Sequence, residues 1–329
     1  MTPENEVVAR DALPREAAPA RAERVGREIL RWFGNSDFST RPADIDTRPG
    51  VDWFRVVPFF LMHAICFAAF WVGFSWIALT VTIILYVLRM FAITGFYHRY
   101  FAHRTFRTHR VVQFAFACIG AASVQRGPLW WAAHHRNHHI NADTVADPHS
   151  PQVHGFLWSH MGWFLTSDGF RTDWKRIPDL ARFRELRWLD RYDVLMPVAL
   201  ATGLFFLGAW LKHLAPQTGV TGAQLLVWGF FVSTVVLFHA TVTINSLAHG
   251  FGTRRFDTRD DSRNNLWLAL LTLGEGWHNN HHFCPGSVRQ GFRWWEVDMT
   301  YYGLRLLQMF GLVYALKPVP AHVMAKVRR

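Results

Sequence analysis

No Asp, Glu, Lys or Arg occurs between Arg55 and Arg89. A helix needs roughly 20 apolar residues to cross a bilayer. The block from Val56 to Gly95 is therefore long enough for two crossings, joined by a tight turn near Val72 and Gly73. A second such block follows. Leu195–Leu211 and Leu225–His249 are apolar, and Lys212 is the only Lys or Arg between Arg191 and Arg254. In hydrocarbon the backbone must satisfy its own hydrogen bonds, so uninterrupted apolar runs of this length are read as helices. The expectation is an all-α integral membrane protein. Four transmembrane helices, at 56–72, 75–96, 195–212 and 224–248, form two hairpins under a cytoplasmic helical cap.

Each hairpin returns the chain to the side where it began, so both termini share one side. Nearly every basic residue falls there too, and the positive-inside rule makes that side the cytoplasm. The formal net charge of +11 has two readings, nucleic acid or anionic lipid. The apolar blocks favour lipid and exclude nucleic acid. The 16 Trp and 28 Phe suit interfacial anchoring. The first residues lack the basic and apolar regions of a signal peptide. Cys66, Cys118 and Cys284 form no C-x-x-C pair, so neither a zinc ribbon nor a disulfide framework is indicated.

The rest of the chain divides into 1–54, a cytoplasmic N-terminal tail; 55–318, the membrane domain; and 319–329, a C-terminal tail. Within the first, Val25, Ile29, Leu30 and Phe33 recur at helical spacing. That fits a helix lying on the membrane or packed on the cap. Val111–Val124 is too short to span and is expected in the cap or at the interface.

The chemistry lies in the histidines. His135-Arg-Asn-His138-His139 and His278-Asn-Asn-His281-His282 are two H-x-x-H-H boxes. On a helix, positions i, i+3 and i+4 share a face, so each box aims His i and at least one partner at a common point. His98 and His103 form an H-x4-H pair, the first of three histidine boxes in chain order, at the end of the second crossing, and Asn245 and His249 lie four apart at the end of the fourth. A polar pair at the mouth of an apolar helix is a functional candidate. The candidate ligands are thus His98, His103, His135, His138, His139, His249, His278, His281 and His282. One ion cannot use so many imidazoles, whereas two ions with water can. Iron with open positions binds oxygen, while redox-inert zinc has little use for such a set. Glu275 and Asn280 are expected to hold ring tautomers from outside the ligand set.

These segments resemble the integral-membrane fatty-acyl desaturases of the stearoyl-CoA desaturase type. The likeness covers about 55–318. It rests on His98-Arg-Tyr-Phe-Ala-His103, Trp131 with His135–His139, Asp147-Pro-His149, Ser159-His-Met-Gly-Trp163, Asn245-Ser-Leu-Ala-His249 and Gly274–His282. Arg289-Gln-Gly-Phe-Arg-Trp-Trp-Glu296 is similar to the bacterial branch. The resemblance implies a di-iron oxygenase whose nine ligands are the histidines above, with Asn245 reaching one metal through a water. It implies removal of both hydrogens from a mid-chain carbon pair, commonly at C9–C10, with O2 and two electrons consumed. Zinc can replace iron on overexpression. The chain lacks a His-Pro-Gly-Gly haem segment, so a separate donor is expected, a ferredoxin or similar protein served by an NAD(P)H-dependent reductase. Animal acyl-CoA desaturases carry an Arg-Asp pair just before the second box. Ala133 and His134 stand there instead. The substrate is therefore a long-chain acyl-CoA or a phospholipid acyl chain. The expected location is the bacterial cytoplasmic membrane. Alternatives are a membrane di-iron hydroxylase, told apart by an alcohol product, and a His-rich metal transporter.

Overall fold

The computed structural model describes Gly26, Trp32–Gly34 and residues 50–327. The expected N-terminal helix lies largely outside the described residues. The molecule is mostly helical, with one two-stranded antiparallel ribbon pairing Arg107–Thr108 with Val313–Tyr314. Among the described residues three helices are long and apolar enough to cross a membrane: α2 (Trp76–Ala102), α6 (Leu195–Leu214) and α7 (Gly222–Ser246). The stretch expected as the first crossing is shorter and broken. Helix α1 (Val57–Cys66) ends in a turn before Ala69–Val72.

The first hairpin turns where the sequence allows it. Gly73 adopts φ 74°, a left-handed conformation that strains other residues. The Ser75 side chain then caps α2 by accepting from the Ala78 N–H at 3.0 Å. Gln224 Nε2 donates to the Val72 carbonyl and Trp228 Nε1 to that of Gly73, both at 2.9 Å, tying this turn to α7. Within the bundle, Arg89 is buried and donates to Thr234 Oγ1, Ser233 Oγ and the carbonyls of Leu85 and Ala122. A buried cation is tolerated here because neutral oxygens occupy its donors.

Helix α2 does not stop at the membrane. From Ala92 to Ala102 it continues as a π-helix, every residue of which is buried. Phe96 stacks on Phe116 at 3.9 Å, and Tyr97 donates to the Ala117 carbonyl at 3.0 Å. Both partners lie on α3 (Arg110–Ala121), the short apolar segment, which thus packs in the cap core. Removing a ring such as Phe96 from this core would cost about 3–5 kcal/mol. Helix α4 (Pro128–Asn141) carries the second box and α5 (Arg184–Arg191) buries Leu186 and Leu189 beside it. Asp190 of α5 accepts from the Leu129 and Trp130 N–H groups at 3.0 Å, capping α4 from another helix. Burial pushes the Asp190 carboxyl up to about 7. Helix α8 (His278–Phe283) carries the third box. The segment expected as a C-terminal tail contains a helix, Ala321–Val327, whose Val323 and Val327 pack with Phe256 and Phe292.

Candidate metal centre

The nine predicted histidines form two separate cages. His98, His103, His135, His139 and His281 make the first; His138, His249, His278 and His282 make the second, each with one ligand atom per residue within 4.8 Å of the others. Neither box serves one point alone. On α4, His135 and His139 are one turn apart and enter the first cage, whereas His138 enters the second. On α8 the division reverses: His281 enters the first cage, and His278 and His282 the second. His249, just past the end of α7, completes the second.

The H-x4-H pair needs the π-helix. An α-helix places residues five apart on different faces. An i→i+5 bond, here from the His103 N–H to the His98 carbonyl at 3.1 Å, brings them back onto nearly the same face. Their ring centroids are 4.8 Å apart.

In the first cage the Nε2 atoms follow one another closely. His98 and His281 are 3.1 Å apart, His281 and His139 2.9 Å, His139 and His135 3.0 Å, and His135 and His103 2.8 Å. Imidazole nitrogens sit about 2.0–2.1 Å from a bound metal, so two at right angles are about 3 Å apart. In the second cage, His249 and His278 Nε2 are 3.0 Å apart. His282 Nε2 and His278 Nδ1 are buried with no hydrogen-bond partner. Burial, then neighbouring imidazoles, hold His135, His139, His278 and His281 well below the usual histidine range, and His282 is lowered to about 4. Neutral nitrogens converging in buried space are what a cation requires, and the residues fit one in each cage.

Carboxylates fix the tautomers. Asp147 Oδ2 lies 2.9 Å from His138 Nδ1, Asp143 Oδ2 2.8 Å from His249 Nδ1, and Asp260 Oδ2 2.9 Å from His282 Nδ1. Glu275 Oε2 lies 2.5 Å from His98 Nδ1. Burial alone would raise the Glu275 carboxyl, but His98 and Arg99 outweigh it and hold it at about 2. With Nδ1–H donated outward, each Nε2 lone pair points into its cage. Glu275 had been singled out from the sequence. Asp143, Asp147 and Asp260 had not been assigned this role. Their signal was faint: acidic residues in loops beside the boxes. Asn280 does not touch an imidazole. Its amide bonds Arg255, Asn264, Glu296 and the Gln290 carbonyl, bracing α8 from behind. Gly276, just before the box, lies so close to the 265–269 segment that a Cβ there would sit 2.1 Å from the Ala269 nitrogen.

A small, half-open cavity lies against both cages. His98, His135, His138 and His278 border it on one side. Met90, Ile93, Trp131, Ile244 and Asn245 form much of the rest. Asn245 thus sits beside both cages without a hydrogen bond to either. His134 points elsewhere and meets the Arg171 carbonyl at 2.9 Å, and burial lowers it to about 4. His160 joins Ser246 at 2.9 Å and His239 at 3.0 Å, and His239 meets His63 at 3.1 Å.

The family model described as fatty acid desaturase matches residues 74–315. The sn-2 palmitoyl-lipid 9-desaturase of Nostoc sp. (strain 36) is 38% identical over 288 residues, covering 84% of this chain and 94% of the relative. The sn-1 stearoyl-lipid 9-desaturase of Anabaena variabilis is 36% identical over 274 residues, covering 82% and 96%. An acyl-CoA 5-desaturase of Anemone leveillei is 37% identical over 276 residues, covering 83% and 81%.

Proposed function

This chain belongs to the fatty acid desaturase family, and from that premise we propose that it inserts a cis double bond at C9 of a lipid-esterified long acyl chain. It is an oxidoreductase acting on acyl chains. One observation carries the reading: two all-imidazole cages stand on one side of an apolar cavity between the spanning helices. An alkyl C–H has no usable acidity, so no side chain can remove it as a proton. Two irons held by His98, His103, His135, His139 and His281, and by His138, His249, His278 and His282, would supply the O2-derived oxidant this bond demands.

The chain's own residues position and protect. Met90, Ile93, Trp131 and Ile244 hold the acyl chain against the cage wall and exclude water. Asn245 faces that space beside His138 and His278, where its amide would hold a water toward a metal in the second cage. Asp143, Asp147, Asp260 and Glu275 keep each attached ring in its metal-binding tautomer. The lipid-linked substrate is supported by two relatives and by positions 133 and 134. Ala133 is buried and His134 is neutral and turned inward, so neither meets a charged headgroup. We place α1 with Ala69–Val72 as a fourth, short crossing, in a bacterial cytoplasmic membrane with both termini inside. Electrons come from a separate soluble carrier.

Mass spectrometry of lipids from cells expressing the protein tests this. Olefin at C9 in intact glycerolipid, dependent on O2, is expected. An alcohol product would mean a hydroxylase, and label appearing first in the CoA pool would move the substrate to acyl-CoA. A Gln217→Cys variant should react with an impermeant thiol reagent from outside the cell.

A further inference from the structure

The first cage has a second face. Its His98 and His135 border the inner cavity, but His103 and His139 border an open mouth on the other side. None of the mouth's residues belongs to a spanning helix. Its rim carries Arg136, Lys175 and Arg176, with Asp179 among them. Arg104 adds a further cation, 3.4 Å from Asp179. Asp179 is taken up by Arg136 at 2.6 Å, and Asp173 lies 3.5 Å from Arg176. Four cations thus face two carboxylates, and Lys175 is exposed. Beside them Ile140 is 62% exposed, although it follows the ligand His139 directly. An apolar residue among cations, over half-buried imidazoles, is the make-up of a transient protein contact.

We propose that this mouth is the docking site for a small acidic one-electron carrier, and that His103 and His139 are where its electrons enter the cage. The proposal rests on the desaturase reading. The reaction RCH2CH2R′ + O2 + 2e⁻ + 2H⁺ → RCH=CHR′ + 2H2O takes two electrons, one per carrier visit. Electron transfer falls steeply with distance, so the carrier docks where the cage comes nearest to solvent. The inner face cannot serve, because the acyl chain fills it. The two faces divide the work: carbon on one side, electrons on the other.

The test uses the full chain in nanodiscs of neutral lipid and a reduced acidic [2Fe–2S] ferredoxin as probe. Binding is read by biolayer interferometry, and turnover with ferredoxin is divided by turnover with dithionite in the same sample. Wild type should bind at 10 mM salt and weaken steeply by 150 mM, as the screening length falls from about 30 Å to about 8 Å. Lys175→Glu and Ile140→Ser should each raise the dissociation constant about tenfold or more and lower the turnover ratio in step. Lys212→Glu, the same charge change in the last turn of α6, should leave binding as in wild type. Unchanged ferredoxin binding in Lys175→Glu, or no binding by wild type at low salt, overturns the proposal. So does a Lys175→Glu defect confined to anionic vesicles, which would assign the rim to lipid headgroups. Loss of olefin with dithionite in wild type would instead strike the desaturase reading, since binding is measured independently.

Discussion

The two cages use one kind of ligand but differ in what stands behind it. In the second, three of four imidazoles lean on an aspartate: His138 on Asp147, His249 on Asp143 and His282 on Asp260. In the first, among the described residues, only His98 leans on a carboxylate, Glu275, and that carboxylate is shared with Arg99. The first cage also opens to solvent through His103 and His139. A carboxylate behind an imidazole makes it a stronger donor and fixes its orientation. Two sites built from one kind of ligand, five in the first and four in the second, can therefore be unequal in hold and exchange. The second is braced and closed, the first less braced and open.

The comparison is broken most directly by removing ligands. His281→Ala should cost the first ion and His249→Ala the second, each reducing desaturation below detection. Elemental analysis of the purified variants would show one ion lost per chain. Loss of both from either variant would mean that the cages are one cooperative site. His98→Ala and His135→Ala should abolish activity in the same way as His281→Ala.

A smaller effect is expected from the braces. Asp143→Asn or Asp260→Asn should weaken metal affinity by roughly 10–100-fold. Timed chelation of the wild type should strip the first cage before the second, and either variant should narrow that gap. Glu275→Gln should widen it. Release in the opposite order would refute the ranking.

Acid gives a third handle. In the metal-free protein His282 is lowered only to about 4, because Asp260 supports its proton, whereas burial takes His135 and His139 well below the usual range. As pH falls, His282 should take a proton before either of them, followed by nitrogen-15 resonances. The sign for stability follows. An unfolded histidine titrates near 6.5, so in the window from about 6.5 down to about 4 the unfolded chain binds more protons. The stability of the folded protein is therefore full above pH 6.5 and is lost as pH falls through that window. A melting temperature independent of pH from 7.5 to 4.5 would contradict this.

The smallest effect is a null. His213 is exposed at the end of α6, away from both cages. His213→Ala should leave metal content intact and stability within about 0.5 kcal/mol.

Much of this was legible in the chain. Apolar blocks marked the spanning helices because nothing but a helix satisfies a backbone in lipid. Helical spacing marks seven of the nine histidines, and His98 and His103 are marked by their place at the end of a spanning helix. Spacing cannot divide the set, since H-x-x-H-H fits either one shared point or two points on neighbouring strips of a face. The braces were hidden for another reason. Asp143, Asp147 and Asp260 lie in loops, where no periodicity says which way a side chain turns. The break after Cys66 is not legible in the sequence, because an apolar run looks the same whether or not a turn interrupts it.

The π-helical run from Ala92 to Ala102 couples the spacing of His98 and His103 to the pitch of the helix that carries them. In an α-helix the matching pair would stand four apart, so deleting one residue between them, with the helix tightening to suit, would return both rings to the same place. A single-residue insertion or deletion, which ordinarily rotates everything after it out of register, is here a step between two equivalent solutions. Descendants of this chain can therefore change length inside their own active site and keep it.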